Sequence, residues 1–459
     1  MVALIASRLA DLGGRFDAWA ENRPGFRVCG RVERAVGVLL EASGLSLPVG
    51  SRCQLELPHA RVPAEVVGFS GERSYLMPLA SSSGVYPGVR VQPDDDLLPP
   101  AEALLGRVID ALGRPLDGRP LPAGAVARQP RLPINPLDRK PISESLDVGV
   151  RCINALLRVG VGQRLGLFAG SGVGKSVLLG MLARFTRADV VVVGLIGERG
   201  REVQEFLEDN LGEGLARAVV VAAPADESAS LRLRGAMLAT EIAEAFRAQG
   251  RRVLLLMDSL TRVAQAQREI GLAMGEPPAA KGYTPSVFAL LPQLVERSGQ
   301  TRREGGSITA FYTVLMEEDD LQDPVVDSAR AILDGHIVLS RRLAERGHYP
   351  AIDVPASISR LMNKLSADED LNHALRFKRL WSRFAEQEDL ISVGAYKSGA
   401  DQETDEAVAR HQEQTRFLQQ DPGQPVALDE SLRLLRQLFS RPPVAAGDRS
   451  RGAHGTEKA

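Results

Sequence analysis

Residues 169–176 read Ala-Gly-Ser-Gly-Val-Gly-Lys-Ser, and the reading of this stretch decides the fold. An apolar run, Leu165, Gly166, Leu167 and Phe168, precedes it, and Val177, Leu178, Leu179, Gly180, Met181, Leu182 and Ala183 follow. Strand, glycine-rich loop, helix is the setting of a phosphate-binding loop. Gly170, Gly172 and Gly174 let the backbone curl so that successive N–H groups converge on phosphate oxygens. The helix N-terminus adds its partial positive charge. The cradle is read as Gly170, Ser171, Gly172, Val173, Gly174, Lys175, Ser176 and Val177. Lys175 is placed to reach the β- and γ-phosphates, and the Ser176 hydroxyl to ligate Mg²⁺. Ala169 stands where the pattern has its first glycine, a small departure. The plainer alternative is a glycine-rich turn that happens to contain Gly-Lys-Ser.

ATP or GTP hydrolysis needs more than a cradle: a metal, a group that positions the attacking water, and a cation for the transition-state charge. Residues 253–257, Val-Leu-Leu-Leu-Met, read as a buried strand that ends in Asp258. A carboxylate at that strand end is placed to hold Mg²⁺. Residues 190–196 are a second apolar strand, running into Gly197-Glu198-Arg199-Gly200-Arg201-Glu202. Ligands bind at the carboxyl edge of such sheets, so Glu198 is assigned to polarising the water. Arg199 and Glu202 are candidates to support it, and Arg199 is counted with the catalytic residues. Otherwise this stretch is a charge-rich surface loop.

These residues also carry a resemblance. Gly-Glu-Arg-Gly-Arg-Glu-Val at 197–203, the 169–176 loop, Leu-Leu-Leu-Met-Asp-Ser-Leu-Thr-Arg at 254–262 and Pro-Ala-Ile-Asp-Val-Pro-Ala-Ser-Ile-Ser-Arg at 350–360 together resemble the catalytic subunits of rotary ATPases. More narrowly they resemble the type III export ATPases, the flagellar branch most of all. Residues 275–288 and 327–344 add to the likeness, which covers roughly residues 25–440. The resemblance implies an ATP hydrolase of flagellar protein export that uses ATP and Mg²⁺. It implies that Arg360 is the cation, reaching across a subunit boundary to a neighbour's γ-phosphate. It matches Tyr349 to the aromatic residue that packs on the adenine, the alternative being a tyrosine buried for packing. Among 56 lysines and arginines, inspection alone does not single out Arg360.

Glu198 and Arg360 lie on one chain, so identical copies could complete every site at an interface. That predicts a closed ring, a homo-hexamer. The other partners implied are a stator-like regulator at the first 20 residues, a coiled-coil stalk-like protein at the C-terminal helices, membrane proteins of the export gate and chaperone–substrate complexes. The 275–288 loop is expected to face the ring's pore, with Tyr283 a candidate contact. Alternatives are the ATPase of a virulence secretion system, a hexameric RNA helicase of the transcription-terminator type, and a non-catalytic ring subunit.

Composition agrees with a globular enzyme. The chain has 459 residues, 44% hydrophobic and 25% charged, with a net charge of −2. That balance argues against bulk binding of nucleic acid, and none is expected. Cys29, Cys53 and Cys152 show neither metal nor disulfide spacing and are expected as buried thiols in a reducing compartment. No apolar run of about 18 residues occurs, and residues 2–6 are too short for a signal peptide. The expected location is the cytoplasm, and the resemblance implies the inner face of the membrane beneath the flagellum.

The expected fold class is α/β: a RecA-like P-loop core with a mainly parallel sheet, preceded by a small β-barrel and followed by a helical domain. The expected boundaries are a docking helix at 1–24, the barrel at 25–95, the ATPase domain at 96–365, the helical domain at 366–441 and a disordered tail at 442–459. Ile5, Leu9, Leu12, Phe16 and Trp19 form one helical face at the start, packed either on its own domain or on a partner or membrane surface. Barrel strands are expected at 36–40, 53–57, 64–69 and 74–79, core strands also at 218–223 and 307–314, and helices at 371–384 and 403–418.

Overall fold

The structure, a computed structural model, describes residues 29–94, 97–122, 126–127, 134–303, 305–316 and 323–440. The expected helix at 1–24 and tail at 442–459 lie outside the described residues. The chain divides after Asp96 into two compact units.

The first unit is a closed antiparallel barrel. Its strands are β1 (Gly30–Val36), β2 (Leu39–Ser43), β3 (Arg52–Glu56), β4 (Arg61–Ser70), β5 (Arg73–Pro78) and β6 (Arg90–Pro93). They pair in the order β1-β2-β5-β4-β3-β6, and β6 returns to β1 through Gly30 opposite Val91. Closure leaves no edge strand unpaired. Alternation fills the interior: Cys53 and Leu55 point inward from β3, and Val62, Ala64 and Val66 from β4. The expected strand at 36–40 is instead a hairpin turn. Val36 ends β1, Gly37 takes φ +60°, and β2 begins at Leu39. The run is apolar throughout apart from Gly37, so hydrophobicity hid a turn that needs a left-handed residue. Burial drives the Cys53 thiol up to about 12. Cys152 in the second unit is likewise raised to about 12 by burial. Cys29 is exposed, against expectation.

The second unit is built on a mixed, mainly parallel sheet. Its main strands are β7 (Arg107–Asp110), β8 (Arg164–Ala169), β9 (Val190–Ile196), β10 (Ala218–Ala223), β11 (Arg252–Asp258), β12 (Ser307–Leu315), β13 (Gly335–Leu339) and β14 (Ile352–Ser359). They run β14-β13-β8-β12-β11-β9-β10-β7, and a short strand, Gly299–Gln300, pairs with β12 off this path. Only the β13–β14 pairing on that path is antiparallel. All seven residues of β9 are buried, four of them consecutive valines. A strand covered on both faces reads as a continuous apolar run rather than an alternating one.

Beside a single helical turn at Met362–Leu365, the α-helices among the described residues are α1 (Arg151–Leu156), α2 (Lys175–Phe185), α3 (Gly200–Glu205), α4 (Ala229–Ala248), α5 (Leu260–Ala273), α6 (Pro285–Val295), α7 (Pro324–Ile332), α8 (Arg341–Glu345), α9 (Asp368–Ser392), α10 (Gln402–Leu418) and α11 (Leu428–Ser440). Side-chain caps open several of them: Ser228 accepts from Leu231 N, Ser259 from Arg262 N and Asp401 from Thr404 N. The last three form the C-terminal helical domain. Phe377, Leu380, Ala407, Phe417, Leu435 and Phe439 share one core with Cys152, Ile153 and Leu156 of α1. Each large side chain so buried contributes about 1.5–3 kcal/mol. Buried Asp370 on α9 fastens the helices to the core, 3.6 Å from Arg158 and 2.7 Å from Arg436.

Candidate active site

The parallel sense of β8, β12, β11 and β9 delivers their C-terminal ends to one edge of the sheet. The 169–176 stretch leaves that edge. Ala169 is the last residue of β8, fully buried between Leu315 and Leu339, and α2 begins at Lys175. Gly174 caps α2 with φ +85°, and a Cβ there would stand 3.3 Å from the Tyr349 ring. Both the conformation and the close approach require glycine. Ser171, Gly172, Ser176 and Val177 are exposed along the loop and first turn, and Val173 is buried beneath them.

Three charged side chains converge beside this loop. Lys175 Nζ donates to Asp258 Oδ1 at 2.7 Å and to Glu198 Oε1 at 3.1 Å. Asp258 is the last residue of β11, and Glu198 lies two residues past β9. The side chains are only 13%, 5% and 12% exposed for Lys175, Asp258 and Glu198. Burial raises both carboxyls, with Lys175 opposing the shift in each. Glu202 lies against Glu198 and raises it further. Burial alone would lower Lys175, but the two carboxylates outweigh it and its pKa rises. One cation thus faces two buried acids.

Two residues of this neighbourhood escaped the sequence reading. Thr313 on β12, between β8 and β11, donates its hydroxyl to Asp258 Oδ1 at 2.6 Å. Arg262, on the first turn of α5, packs against Gly197, and its Nε is buried without a hydrogen-bond partner among the described residues. Arg262 stands in the quoted 254–262 motif, which was the available signal. Thr313 sits inside an apolar strand and gave none.

The remaining candidates are placed as follows. Tyr349 is brought to the loop, its ring against Gly174 and 45% exposed. Arg199 faces solvent, 3.9 Å from Glu202, and is not brought to Lys175. Arg360 follows β14, and Ser359 pairs with Gly335, one residue before the His336 that pairs with Gly166. That register sets Ser359 about 13 Å down the strands from Ala169, with Arg360 one residue beyond it, at the opposite edge of the sheet. Its guanidinium donates to Arg330 O at 2.8 Å. Tyr283 is buried, with Arg268 over its ring and Phe288 edge-on to it, so in this conformation it offers little surface to a pore.

Residues 149–359 match the ATP synthase alpha/beta family, nucleotide-binding domain, and residues 366–437 match the T3SS EscN ATPase C-terminal domain. The chain is 59% identical over 423 residues to the flagellum-specific ATP synthase of Pseudomonas aeruginosa, covering 90% of this chain and 93% of that protein. The chain belongs to the flagellum-specific branch of the ATP synthase alpha/beta family. It is a nucleotide-binding ATPase, related to the EscN ATPases of type III secretion. This flagellum-specific chain is also 57% identical to the Salmonella typhimurium flagellum-specific ATP synthase, over 92% of this chain and 96% of that protein. The assembled ATPase EscN from enteropathogenic E. coli superposes with a TM-score of 0.83 at 41% identity, over 89% of this chain and 99% of that one. EscN in complex with its central stalk EscO gives 0.82 at 40%, with the same coverage. Among the described residues of this ATPase, no helix is long and apolar enough to cross a membrane.

Proposed function

We propose that this ATPase hydrolyses Mg²⁺-ATP in a ring of six identical copies, to release chaperones and present unfolded flagellar proteins to a membrane export gate. The observation that carries the catalytic part is Lys175 Nζ held between Asp258 and Glu198 at the mouth of the phosphate-binding loop. Lys175 is pre-positioned and charged, ready to exchange a carboxylate for a phosphate oxygen. The loop's backbone N–H groups and the start of α2 supply the rest of the anion site. Glu198, released from Lys175, is the base-side carboxylate that orients the attacking water, and burial makes it a better proton acceptor than a surface glutamate. Arg199 at the rim holds Glu202, which in turn lies against Glu198.

The donor set fits a hard divalent cation: Asp258 supplies a buried carboxylate oxygen and Ser176 an exposed hydroxyl on the adjoining helical turn. When bound, Mg²⁺ would neutralise charge on the β- and γ-phosphate oxygens. Tyr349 offers a half-exposed ring beside the loop for the adenine.

Arg360 sits at the far edge of its own sheet, so its role is assigned to a neighbouring copy's γ-phosphate. The first 20 residues are assigned to a stator-like regulator and the C-terminal helices to a coiled-coil stalk. The relative solved in complex with its central stalk supports a stalk partner. Location at the cytoplasmic face of the membrane follows from the same reading. Identity of 57–59% to flagellum-specific relatives, against 40–41% to the two assembled EscN structures, favours flagellar over virulence cargo. The test is complementation. Glu198→Gln chains are expected to lose about 10²–10⁴ in turnover and Arg360→Ala chains about 10³–10⁵, leaving a measurable residual rate, and mixed assemblies to regain activity. Mixed assemblies that stay at the residual rate refute the shared site.

A further inference from the structure

We propose that Gln163 is a positioning residue for Arg360, setting where that arginine leaves the sheet. The inference rests on the reading that Arg360 serves a neighbour's site. Gln163 lies just before β8 and is fully buried. Its amide is committed on both sides. Oε1 accepts from Gly160 N at 2.8 Å, while Nε2 donates to Asp334 O and to Ser359 Oγ, each at 3.2 Å. Those two acceptors flank Arg360 directly. Asp334 O also accepts from Arg360 N at 3.0 Å, and Ser359 is the preceding residue. The Ser359 hydroxyl in turn donates to Arg158 O at 2.7 Å.

The other side of the seat is held by charge. Arg164 grips the Asp334 carboxylate through Nε at 3.0 Å, NH2 at 3.2 Å and its backbone N at 3.0 Å. Arg164 also pairs with Glu296, which follows α6, and Glu296 holds Arg139 at 2.9 Å. Gln163 and Ser359 are buried, whereas the Arg360 side chain is exposed. Two segments far apart in sequence, at 334 and 359, therefore meet on one amide, and the exposed arginine is what that meeting aims. Each satisfied polar contact resists displacement, because breaking it would leave a buried group unpaired.

A catalytic group displaced by about 1 Å costs on the order of 10²-fold in rate. Gln163→Leu should therefore lower kcat about 10²-fold with KM for ATP little changed. Ser359→Ala, which removes only a hydroxyl, should give the same pattern more weakly and serves if the leucine variant does not fold. Two further readouts separate aiming from general damage. In an Arg360→Ala background, neither variant should lower the rate further. Mixed with Glu198→Gln chains, which carry an intact Gln163 and Arg360, Gln163→Leu chains should regain activity, because their own sites are sound. Wild-type kcat in both variants, additive losses in the Arg360→Ala background, or no recovery on mixing overturns the proposal. Full activity of Arg360→Ala alone overturns instead the assignment on which it rests.

Discussion

Lys175→Ala should do more than abolish turnover: it should make the apo protein's stability fall with rising pH. At an effective dielectric of about 20, the attractions at 2.7 and 3.1 Å are about 6 and 5 kcal/mol. Desolvation of the three buried groups offsets much of that, at several kcal/mol per ion. Removing the lysine forfeits the attraction and leaves both carboxylates desolvated, a loss of about 3–5 kcal/mol for a broken buried pair. The carboxyls escape part of it by taking up protons. Their pKa values, already raised by burial, rise further once the cation is gone. A carboxyl whose folded pKa exceeds its unfolded value, near 4, binds protons more tightly when folded. Its penalty is then absent well below that value and complete above the folded pKa. Destabilisation by Lys175→Ala should therefore be largest near pH 8 and shrink toward pH 5. Adding Glu198→Gln should recover part of it, since one acid no longer needs a counter-charge. Calorimetric melting of the wild type, the single and the double variant at both pH values is the assay. An equal loss at the two pH values, or no recovery in the double variant, refutes the reasoning.

Glu198 must be ionised to take a proton from the attacking water, and burial raises its pKa. The acid limb of kcat/KM should then lie above the ordinary glutamate value of about 4.3, and a limb at or below it contradicts the assignment. Glu198→Gln should lower turnover by about 10²–10⁴ while ATP still binds, as checked by equilibrium binding of the nucleotide. Tyr349→Ala should weaken ATP binding by about 1–3 kcal/mol, roughly 5- to 150-fold, with kcat little changed, if its ring stacks on the base. Unaltered affinity would leave Tyr349 as packing against Gly174.

Legibility in the sequence followed burial. β9 and β10 were read at their observed bounds because both are buried on both faces and terminate at charged or turn residues. β11 extends one residue further at each end than the apolar run, and its extra C-terminal residue is Asp258 itself. The helix expected at 371–384 runs on at both ends, as Asp368–Ser392, and the one at 403–418 begins at Gln402, because end residues such as Asp368, Glu386, Glu388 and Gln402 are polar and carry no hydrophobic period. The loop, Glu198 and Asp258 were legible because strand ends on one edge of a parallel sheet are a rule of the fold. Thr313 was not, because its role depends on which strand separates β8 from β11, a matter of sheet order rather than of local pattern. Gln163 is hidden for the same reason: its partners stand at 334 and 359.

The antiparallel sense of β14 carries the chain from one edge of the sheet back to the other. Ile352 lies level with Leu339 and hence with Ala169, whereas Ser359 lies level with Gly335. Tyr349 and Arg360 therefore flank one eight-residue strand whose ends stand only about 13 Å apart, because residues 354–357 bulge out of the pairing with β13. A displacement at Tyr349 reaches Arg360 along this strand only through that bulge, where the ladder is interrupted. Under the proposed function, the contact to the base and the contact to a neighbouring copy are then separated by a break in the pairing rather than rigidly linked.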